Sequence, residues 1–384
     1  MKRLVTLGLF GVMTLSGGCS SLSLDSLNPF GAPKKAKIPA LEPLQSVTAE
    51  LSELWRYGAG ASENAVFEPA IVGGTVFVAA RDGSIIRLDE GRQTWKINAG
   101  KSLSGGVGAS EKLVVVGTEK GEVLAFGTDG QPAWQGLVSS EVLAPPHLSD
   151  DLVLVRSADS RIQAFNATDG ARKWNYQRPN PSLTLRTHAS VISTPSLVIA
   201  GFPGGKLAAI NRTTGAAVWE SNVALSRGAT ELERIADVTS PPLIAGRDVC
   251  AAAFQGRVAC FELKSGTTIW TRDIASAAGI AVDAQNLYVS DDSGAVYALD
   301  RATGASIWKQ DKLKGRAPGR PLTLEQHVAV TDADGIVHLL QRENGAFAAR
   351  LSGDGSAINA AMQPYGRAFI VQSRAGSVRA LVVR

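Results

Sequence analysis

A unit of about 40 residues is repeated along this 384-residue chain, and it restricts the possible folds more than any other feature. Its clearest copy is GAVYALDRATG at residues 294–304, followed by Trp308. Tryptophan returns at positions 95, 134, 174, 219, 270 and 308, so the spacings are 39, 40, 45, 51 and 38 residues. A period near 40 with four short strand patterns per unit is typical of a β-propeller blade.

Each unit contains a hairpin turn with a characteristic composition. Glycine adopts positive φ without strain, so it allows a tight turn between antiparallel strands. The turn glycines are Gly83, Gly121, Gly205, Gly256, Gly294, Gly335 and Gly376, and the third copy has Asp159-Ser160-Arg161 instead. Proline is tolerated at the first residue of a strand, and we expect it there at Pro69, Pro146, Pro195, Pro242, Pro321 and Pro364. The sequence therefore predicts eight hairpins.

The repeated tryptophans follow a turn rich in Asp, Thr and Gly, and we expect them to pack between neighbouring blades. The eighth copy stops at Arg384 after its third strand, whereas LSELW at residues 51–55 has a tryptophan without the preceding turn. A strand from the amino-terminal side can complete that blade and remove the open sheet edges. The prediction is an all-β fold, an eight-bladed β-propeller of four-stranded antiparallel blades over residues 50–384, closed by an amino-terminal strand.

The amino terminus has the pattern of an export signal. Lys2 and Arg3 precede an apolar run over residues 4–15 and small residues before Cys19. The segment LSGGC resembles a bacterial lipobox, which implies a signal peptide over residues 1–18 and lipidation of Cys19. Ordinary cleavage near a small residue and a short buried helix are the alternatives. Residues 19–49, rich in Ser, Pro and Gly, are expected to be a flexible tether. Ser20 favours the outer membrane as the destination.

Composition and motifs argue against several classes of function. The formal net charge is +4, with two of those charges in the signal segment, which is too small to indicate a nucleic-acid partner. The four histidines are scattered, no cysteine has metal-ligand spacing, and no nucleophile–base pair stands out. The glycine-rich runs precede no predicted helix. We therefore expect no catalytic residue, no metal site and no cofactor.

Cys250 and Cys260 flank the hairpin turn at Gln255-Gly256, five residues away on either side of Gln255. Directly opposed positions of an antiparallel pair have Cβ atoms about 4.5–5.5 Å apart. An exported protein lies in an oxidising compartment. A disulfide between the two is one interpretation, and two buried thiols are the other.

Two irregular stretches break the blade pattern and are candidate binding loops. Residues 221–238 form an insertion with charges of both signs, among them Asp237. Residues 179–188 place Leu183 and Leu185 beside Arg186. An apolar anchor next to arginine is a composition favoured at interface centres. The alternative is an ordinary strand with both leucines buried on one face.

The repeat VYALD…TG…W resembles that of the quinoproteins, which are eight-bladed dehydrogenases. Those enzymes stack pyrroloquinoline quinone on a vicinal disulfide, but none of the three cysteines is adjacent to another. They also have long insertions that this chain lacks. A periplasmic quinone-dependent dehydrogenase or sensor is therefore the alternative function, since a repeat indicates a fold and leaves function open.

The lipobox, PSLTLR at residues 181–186 and ELERIADV at residues 231–238 together resemble the BamB family of outer-membrane lipoproteins. Thr239 stands where that family often has a second acidic residue. The resemblance implies a non-catalytic scaffold, lipid-anchored at the periplasmic face of the outer membrane. Its implied partners are the periplasmic domains of BamA, other lipoproteins of the β-barrel assembly complex and unfolded outer-membrane proteins. Leu183, Leu185, Arg186 and Asp237 are the implied contacts with BamA.

Overall fold

The computed structural model describes residues 38–384, which form 32 strands in eight antiparallel sheets of four. The strands of the first four blades are β2 (Ala70–Val72), β3 (Thr75–Ala79), β4 (Ser84–Asp89) and β5 (Arg92–Asn98); β6 (Gly108–Ala109), β7 (Leu113–Gly117), β8 (Glu122–Gly127) and β9 (Pro132–Leu137); β10 (His147–Ser149), β11 (Leu152–Arg156), β12 (Ile162–Asn166) and β13 (Arg172–Tyr176); and β14 (Ile192–Ser193), β15 (Leu197–Phe202), β16 (Lys206–Asn211) and β17 (Ala217–Asn222).

The strands of blades five to seven are β18 (Leu243–Ala245), β19 (Asp248–Ala252), β20 (Val258–Glu262) and β21 (Thr268–Arg272); β22 (Ile280–Val282), β23 (Asn286–Ser290), β24 (Val296–Asp300) and β25 (Ser306–Gln310); and β26 (Leu322–Thr323), β27 (His327–Thr331), β28 (Val337–Gln341) and β29 (Phe347–Leu351). Blade eight combines β30 (Gln363–Tyr365), β31 (Ala368–Gln372) and β32 (Ser377–Val383) with β1 (Leu51–Gly58). The predicted eight-bladed propeller is confirmed.

The amino-terminal strand closes the ring as expected. Strand β1 is the outer strand of blade eight and pairs antiparallel with β32, from Leu51 opposite Val383 to Gly58 opposite Ser377. A register shift between Glu53 and Trp55 marks an irregularity in this pair. Both ends of the propeller sequence thus share one sheet, and that sheet joins the first blade to the seventh.

The core consists of eight apolar clusters, one at each junction between neighbouring blades. At the junction of blades four and five, for example, Ile199 and Ala209 meet Val249 and Phe261, all fully buried. The inner strands supply most of these side chains, because each sheet has a neighbouring blade on both of its faces. In the outer strands of blades four and five, Trp219 and Trp270 are buried and their neighbours are mostly exposed. The ring is therefore held together by sheet-to-sheet packing.

Each repeated tryptophan links its own blade to the next, which confirms their predicted place. The indole Nε1 of Trp270 donates to the carbonyl oxygen of Arg301 at 2.8 Å, and the corresponding bonds of the other five measure 2.8–3.0 Å. The indole ring also packs against the turn glycine of the next blade; Trp270, for example, lies over Gly304. Gly304 has φ +71°, and a Cβ there would lie 2.6 Å from the indole.

Two details of the turns differ from the sequence-based expectation. The prolines lie beside strand starts: residues 69, 146, 242 and 321 directly precede the first strand of a blade, and residue 364 is the second residue of β30. Pro195 instead follows β14, in a turn whose Thr194 Oγ1 accepts the amide of Leu197 at 2.9 Å. In blades three and five the positive φ belongs to Ser160 (64°) and Gln255 (47°). Gly256 is needed for space instead, since a Cβ there would lie 2.6 Å from that of Ala224.

The alternation of turns gives the propeller two distinct faces. The connector face carries the connections between blades and the turns between second and third strands. The turn face carries the turns between first and second and between third and fourth strands.

The signal segment and Cys19 lie outside the described residues. Within residues 38–384, no helix is long and apolar enough to cross a membrane.

Candidate functional site

The four predicted contact residues lie in two connections on the connector face. Leu183, Leu185 and Arg186 belong to residues 177–191, between blades three and four, and Asp237 belongs to residues 223–242, between blades four and five. The stretch 181–191 contains no strand, so the alternative of an ordinary buried strand does not describe it. Leu183 is exposed and Leu185 is half-buried.

Asp237 joins these two connections from inside. Its Oδ2 accepts the amide of Leu185 at 2.7 Å, and its Oδ1 accepts the amide of Gly204 at 3.0 Å. The residue is only 2% exposed. A carboxylate bonded in this way cannot reach a partner, so Asp237 sets the position of Leu185 and Arg186 and leaves the outward contacts to them.

A buried arginine accompanies this carboxylate. Arg156 is 6% exposed, lies over the ring of Phe202 at 5.3 Å and donates to the carbonyl oxygen of Ala189 at 3.2 Å. Burial lowers the pKa of Arg156 to about 10, and the negative charge of Asp237 opposes that shift. Arg156 is thus still a cation at neutral pH, and Asp237 supplies the opposite charge in the same buried region.

The insertion has an ordered conformation of its own. Thr230 and Glu233 form a capping box: Thr230 Oγ1 accepts the amide of Glu233 at 3.2 Å, and Glu233 Oε2 accepts the amides of Ala229 and Thr230 at 2.8 and 3.1 Å. The hydrogen bonds from the backbone amides of Thr230 and Ala229 lower the pKa of Glu233. Leu232 lies within this capped turn and is 66% exposed.

Three further contacts connect the insertion to its surroundings. Ser182 Oγ donates to Glu231 Oε2 at 2.9 Å, and Thr187 Oγ1 donates to the carbonyl oxygen of Thr239 at 2.9 Å. With its amide oriented to face acceptors, Gln255 donates to the carbonyl oxygens of residues 232 and 235. The two connections therefore form one surface.

We name the outward side chains of this surface the loop patch, and define it as Leu183, Leu185, Arg186, Leu232 and Glu141. Arg186 Nη2 binds Glu141 Oε2 at 2.7 Å, and the arginine side chain is 55% exposed. Glu141 and Leu232 were not singled out from the sequence. Glu141 lies in a third connection, between blades two and three, and neither it nor Leu232 belongs to a periodic pattern in the sequence.

A cavity of about 610 Å³ opens beside the loop patch at the centre of the ring. Leu185, Arg186 and His188 line it from one side, and Glu68 and Arg320 line it from the other. Burial raises the pKa of Glu68, which the charge of Arg320 opposes, and burial lowers the pKa of His188. Among residues 38–384, no three His, Cys, Asp or Glu side chains are grouped as metal ligands.

The two cysteines of the fifth blade are direct cross-strand partners, Cys250 opposite Cys260. The structure joins them as a disulfide with Cα atoms 4.1 Å apart. Both residues are buried in the cluster between blades five and six, beside Trp270. They lie in the protein core, away from the loop patch.

Comparison with known proteins points to one family. The model of the family described as outer membrane protein assembly factor BamB matches residues 81–310. A protein of that name from Bordetella pertussis is 40% identical over 373 residues, which cover 96% of this chain and 94% of the relative. The protein of the same name from Burkholderia pseudomallei is 39% identical over 86% of this chain and 87% of its own length.

Solved structures agree on the fold. BamB from Moraxella catarrhalis superposes with a TM-score of 0.81 at 26% identity, over 87% of this chain and 100% of that one. A quinohemoprotein alcohol dehydrogenase from Comamonas testosteroni has a TM-score of 0.70 at 13% identity, over 86% and 76% of the two chains. At that identity the dehydrogenase shares the fold alone.

Proposed function

The chain belongs to the family of outer membrane protein assembly factor BamB, and we propose that it is a non-catalytic scaffold that binds BamA. In this role it assists the insertion of β-barrel proteins into the outer membrane. The loop patch is the BamA-binding surface. Other lipoproteins of the complex and unfolded outer-membrane proteins are further partners of the same assembly.

The observation that carries this proposal is that the loop patch holds exposed apolar side chains on an ordered loop. Leu183 is 39% exposed although it lies beside the buried clamp of Asp237. Apolar side chains held outward on an ordered loop, next to a half-exposed arginine, have the composition of an interface centre. The patch is prearranged by Asp237, so binding need not order the loop.

The second part of the proposal concerns the anchor. Cys19 is acylated and holds the domain at the periplasmic face of the outer membrane, because the export signal ends in GGC followed by serine. Several acyl chains are needed for stable attachment, as a single chain binds only weakly. Replacing Cys19 with Ala should move the protein to the soluble periplasmic fraction. Unchanged membrane fractionation would contradict this assignment.

The direct test of the partner is affinity purification of the tagged chain from detergent-solubilised membranes of its source bacterium. We expect BamA to be enriched and to be lost when the chain is tagged but lacks its export signal. An eluate without BamA, from membranes in which BamA is present and soluble, would contradict the proposal.

A quinone-dependent dehydrogenase is the alternative, favoured by the fold it shares with the alcohol dehydrogenase. Absorption and fluorescence spectra of the purified chain, before and after incubation with pyrroloquinoline quinone and calcium, distinguish the two. The scaffold proposal predicts no bound quinone chromophore. A stoichiometric chromophore would support the enzyme instead.

A further inference from the structure

Residues 38–50 form an extended segment along the outer strand of blade seven, and we name this segment the strap. At its carboxyl-terminal end, the amide of Thr48 donates to the carbonyl oxygen of Ala348 at 3.0 Å. Glu50 and Arg384 exchange two backbone bonds of 3.1 and 2.8 Å. At its other end, the carbonyl oxygen of Pro39 accepts a bond from the Arg316 guanidinium.

Side chains of blades six and seven hold the strap between these ends. Arg350 donates to the carbonyl oxygen of Glu42, whose carboxylate lies 3.1 Å from Lys312 Nζ. Gln341 donates to Thr48 Oγ1 at 3.0 Å. Leu41 packs against the apolar cluster between these two blades. Composition alone assigned this stretch to a flexible tether, but its contacts fix it on the propeller.

Blade seven offers room for the strap because it lacks the repeated tryptophan. Ala349 faces Leu339 in the register where Trp308 faces Ala298 in blade six. Blade eight has chain ends where the other blades have a third turn, so no turn glycine is present for a tryptophan to cover. Ala49 of the strap packs instead against the cluster at this junction.

The strap runs from one face of the propeller to the other. Glu50 and Arg384 lie at the turn face, because β32 ends there and β1 begins there. Arg316 lies in the connection between blades six and seven, which belongs to the connector face. The strap therefore begins at the connector face, which also carries the loop patch, and ends at the turn face.

We infer that the strap fixes the orientation of the propeller at the membrane, with the connector face and its loop patch turned towards the lipid. This inference rests on the proposed anchor at Cys19. Without the strap, the tether would leave from residue 50 on the turn face. It would also gain 12 residues, which extend to about 40 Å at 3.3–3.6 Å each. Docking of the strap therefore shortens the tether, and it moves the point at which the tether leaves the propeller to the connector face.

The first experiment asks whether the strap is docked. A double variant, Leu41→Gln with Arg350→Ala, removes an apolar contact and a backbone clamp at its connector end. A broad-specificity protease should then cut residues 40–48 about tenfold faster, because cleavage needs local opening. Val47→Gln is the matched control, since Val47 is 69% exposed and should leave the rate unchanged. Equal cleavage of the wild type and the double variant would overturn the docking.

The second experiment measures orientation on vesicles. A fluorophore is attached to the new thiol of Ala375→Cys, at an exposed residue of the connector face, or of Glu343→Cys, at an exposed residue of the turn face. Energy transfer from each to an acceptor lipid is compared for the acylated protein. Transfer should be greater from position 375, and the strap double variant should bring the ratio towards one. Equal transfer in the wild type would overturn the orientation.

The two experiments separate failure of the strap from failure of the anchor. If the acylated preparation does not associate with vesicles, the Cys19 anchor is wrong, and with it the orientation. The protease comparison needs no membrane, so it still decides whether residues 38–50 are held on blade seven. A docked strap with equal transfer from the two labels would leave the anchor standing and refute the orientation alone.

Discussion

Asp237 illustrates, at the scale of one residue, how a charge can serve a surface without being part of it. Its Oδ2 accepts an amide from the connection between blades three and four, and its Oδ1 accepts an amide from the β15–β16 turn of blade four. Arg156 supplies the opposite charge in the same buried region. The sequence places it among exposed charges of the insertion, so exposure was the natural expectation. Only the course of the chain shows that a carboxylate is needed inside.

Replacing Asp237 with Ala should destabilise the protein by about 2–4 kcal/mol, because two part-buried amides lose their acceptor and the buried Arg156 loses its counter-charge. Asp237→Asn retains one acceptor oxygen and should cost less. Urea unfolding gives the stability, and hydrogen exchange of the Leu185 amide reports the loop. An alanine variant as stable as the wild type, with Leu185 equally protected, would contradict the clamp.

His338 provides a second prediction at this scale. Burial lowers its pKa, and the hydrogen bond from its Nε2 to Asp332 Oδ2 at 2.9 Å opposes the shift only partly. Below about pH 6.5, His338 therefore binds a proton in the unfolded chain but stays neutral in the folded chain. Stability contributed by neutral His338 is therefore present at higher pH and is lost as the pH falls below that value.

His338→Gln should flatten the dependence of the urea midpoint on pH between about 7 and 5, relative to the wild type. His327→Gln is the control, because His327 is only half-buried and its removal should leave most of the dependence. An unchanged pH profile in His338→Gln would show that this side chain does not contribute.

At the scale of elements, the unit of this fold is the pair formed by a tryptophan and the glycine of the next blade. The tryptophan's indole N–H satisfies a turn carbonyl, and the ring covers a position where no Cβ fits. Repetition made this pairing visible in the sequence. The strap could not be predicted from the sequence, because residues 33–49 are rich in Pro, Ser and Lys and show no alternation of apolar and polar residues. Its contacts are also with residues about 300 positions away along the chain.

Gly304→Ala should destabilise the protein more than Gly246→Ala. Both residues have positive φ, +71° and +67°, so both substitutions add backbone strain of about 1–2 kcal/mol. Only at Gly304 would the new Cβ also meet the Trp270 ring, whereas nothing lies within 4 Å at Gly246. Urea unfolding of the two variants checks this. Equal losses would show that the indole contact adds nothing.

The cysteine pair belongs to the same scale. We expect no free thiol at Cys250 or Cys260 in protein purified from the periplasm, because the two face each other in one hairpin. Alkylation of denatured, unreduced protein counts the thiols, and a Cys19→Ala background keeps the count simple. Reduction should lower stability by about 2–3 kcal/mol for so short a loop. Two free thiols would favour the interpretation of a buried, reduced pair.

At the scale of the whole molecule, the ring gives the loops a rigid base and two faces with different content. Period, turn glycines and the missing fourth strand of the last copy were enough to predict eight blades and their closure. The loop patch was predicted in part, since Leu183, Leu185 and Arg186 lie outward but Asp237 lies inside. Such differences come from contacts between distant loops, which no local pattern records.

The central claim is that the loop patch binds BamA, and one comparison tests it most directly. Arg186→Glu, combined with Leu185→Ala, is measured beside Lys264→Glu, which makes the same charge change at an exposed residue of the turn face. We expect the double variant to lose co-purification of BamA while its thermal unfolding stays near that of the wild type, and we expect the control to retain BamA. Full co-purification by the double variant, or loss of BamA only together with loss of the fold, would contradict the account.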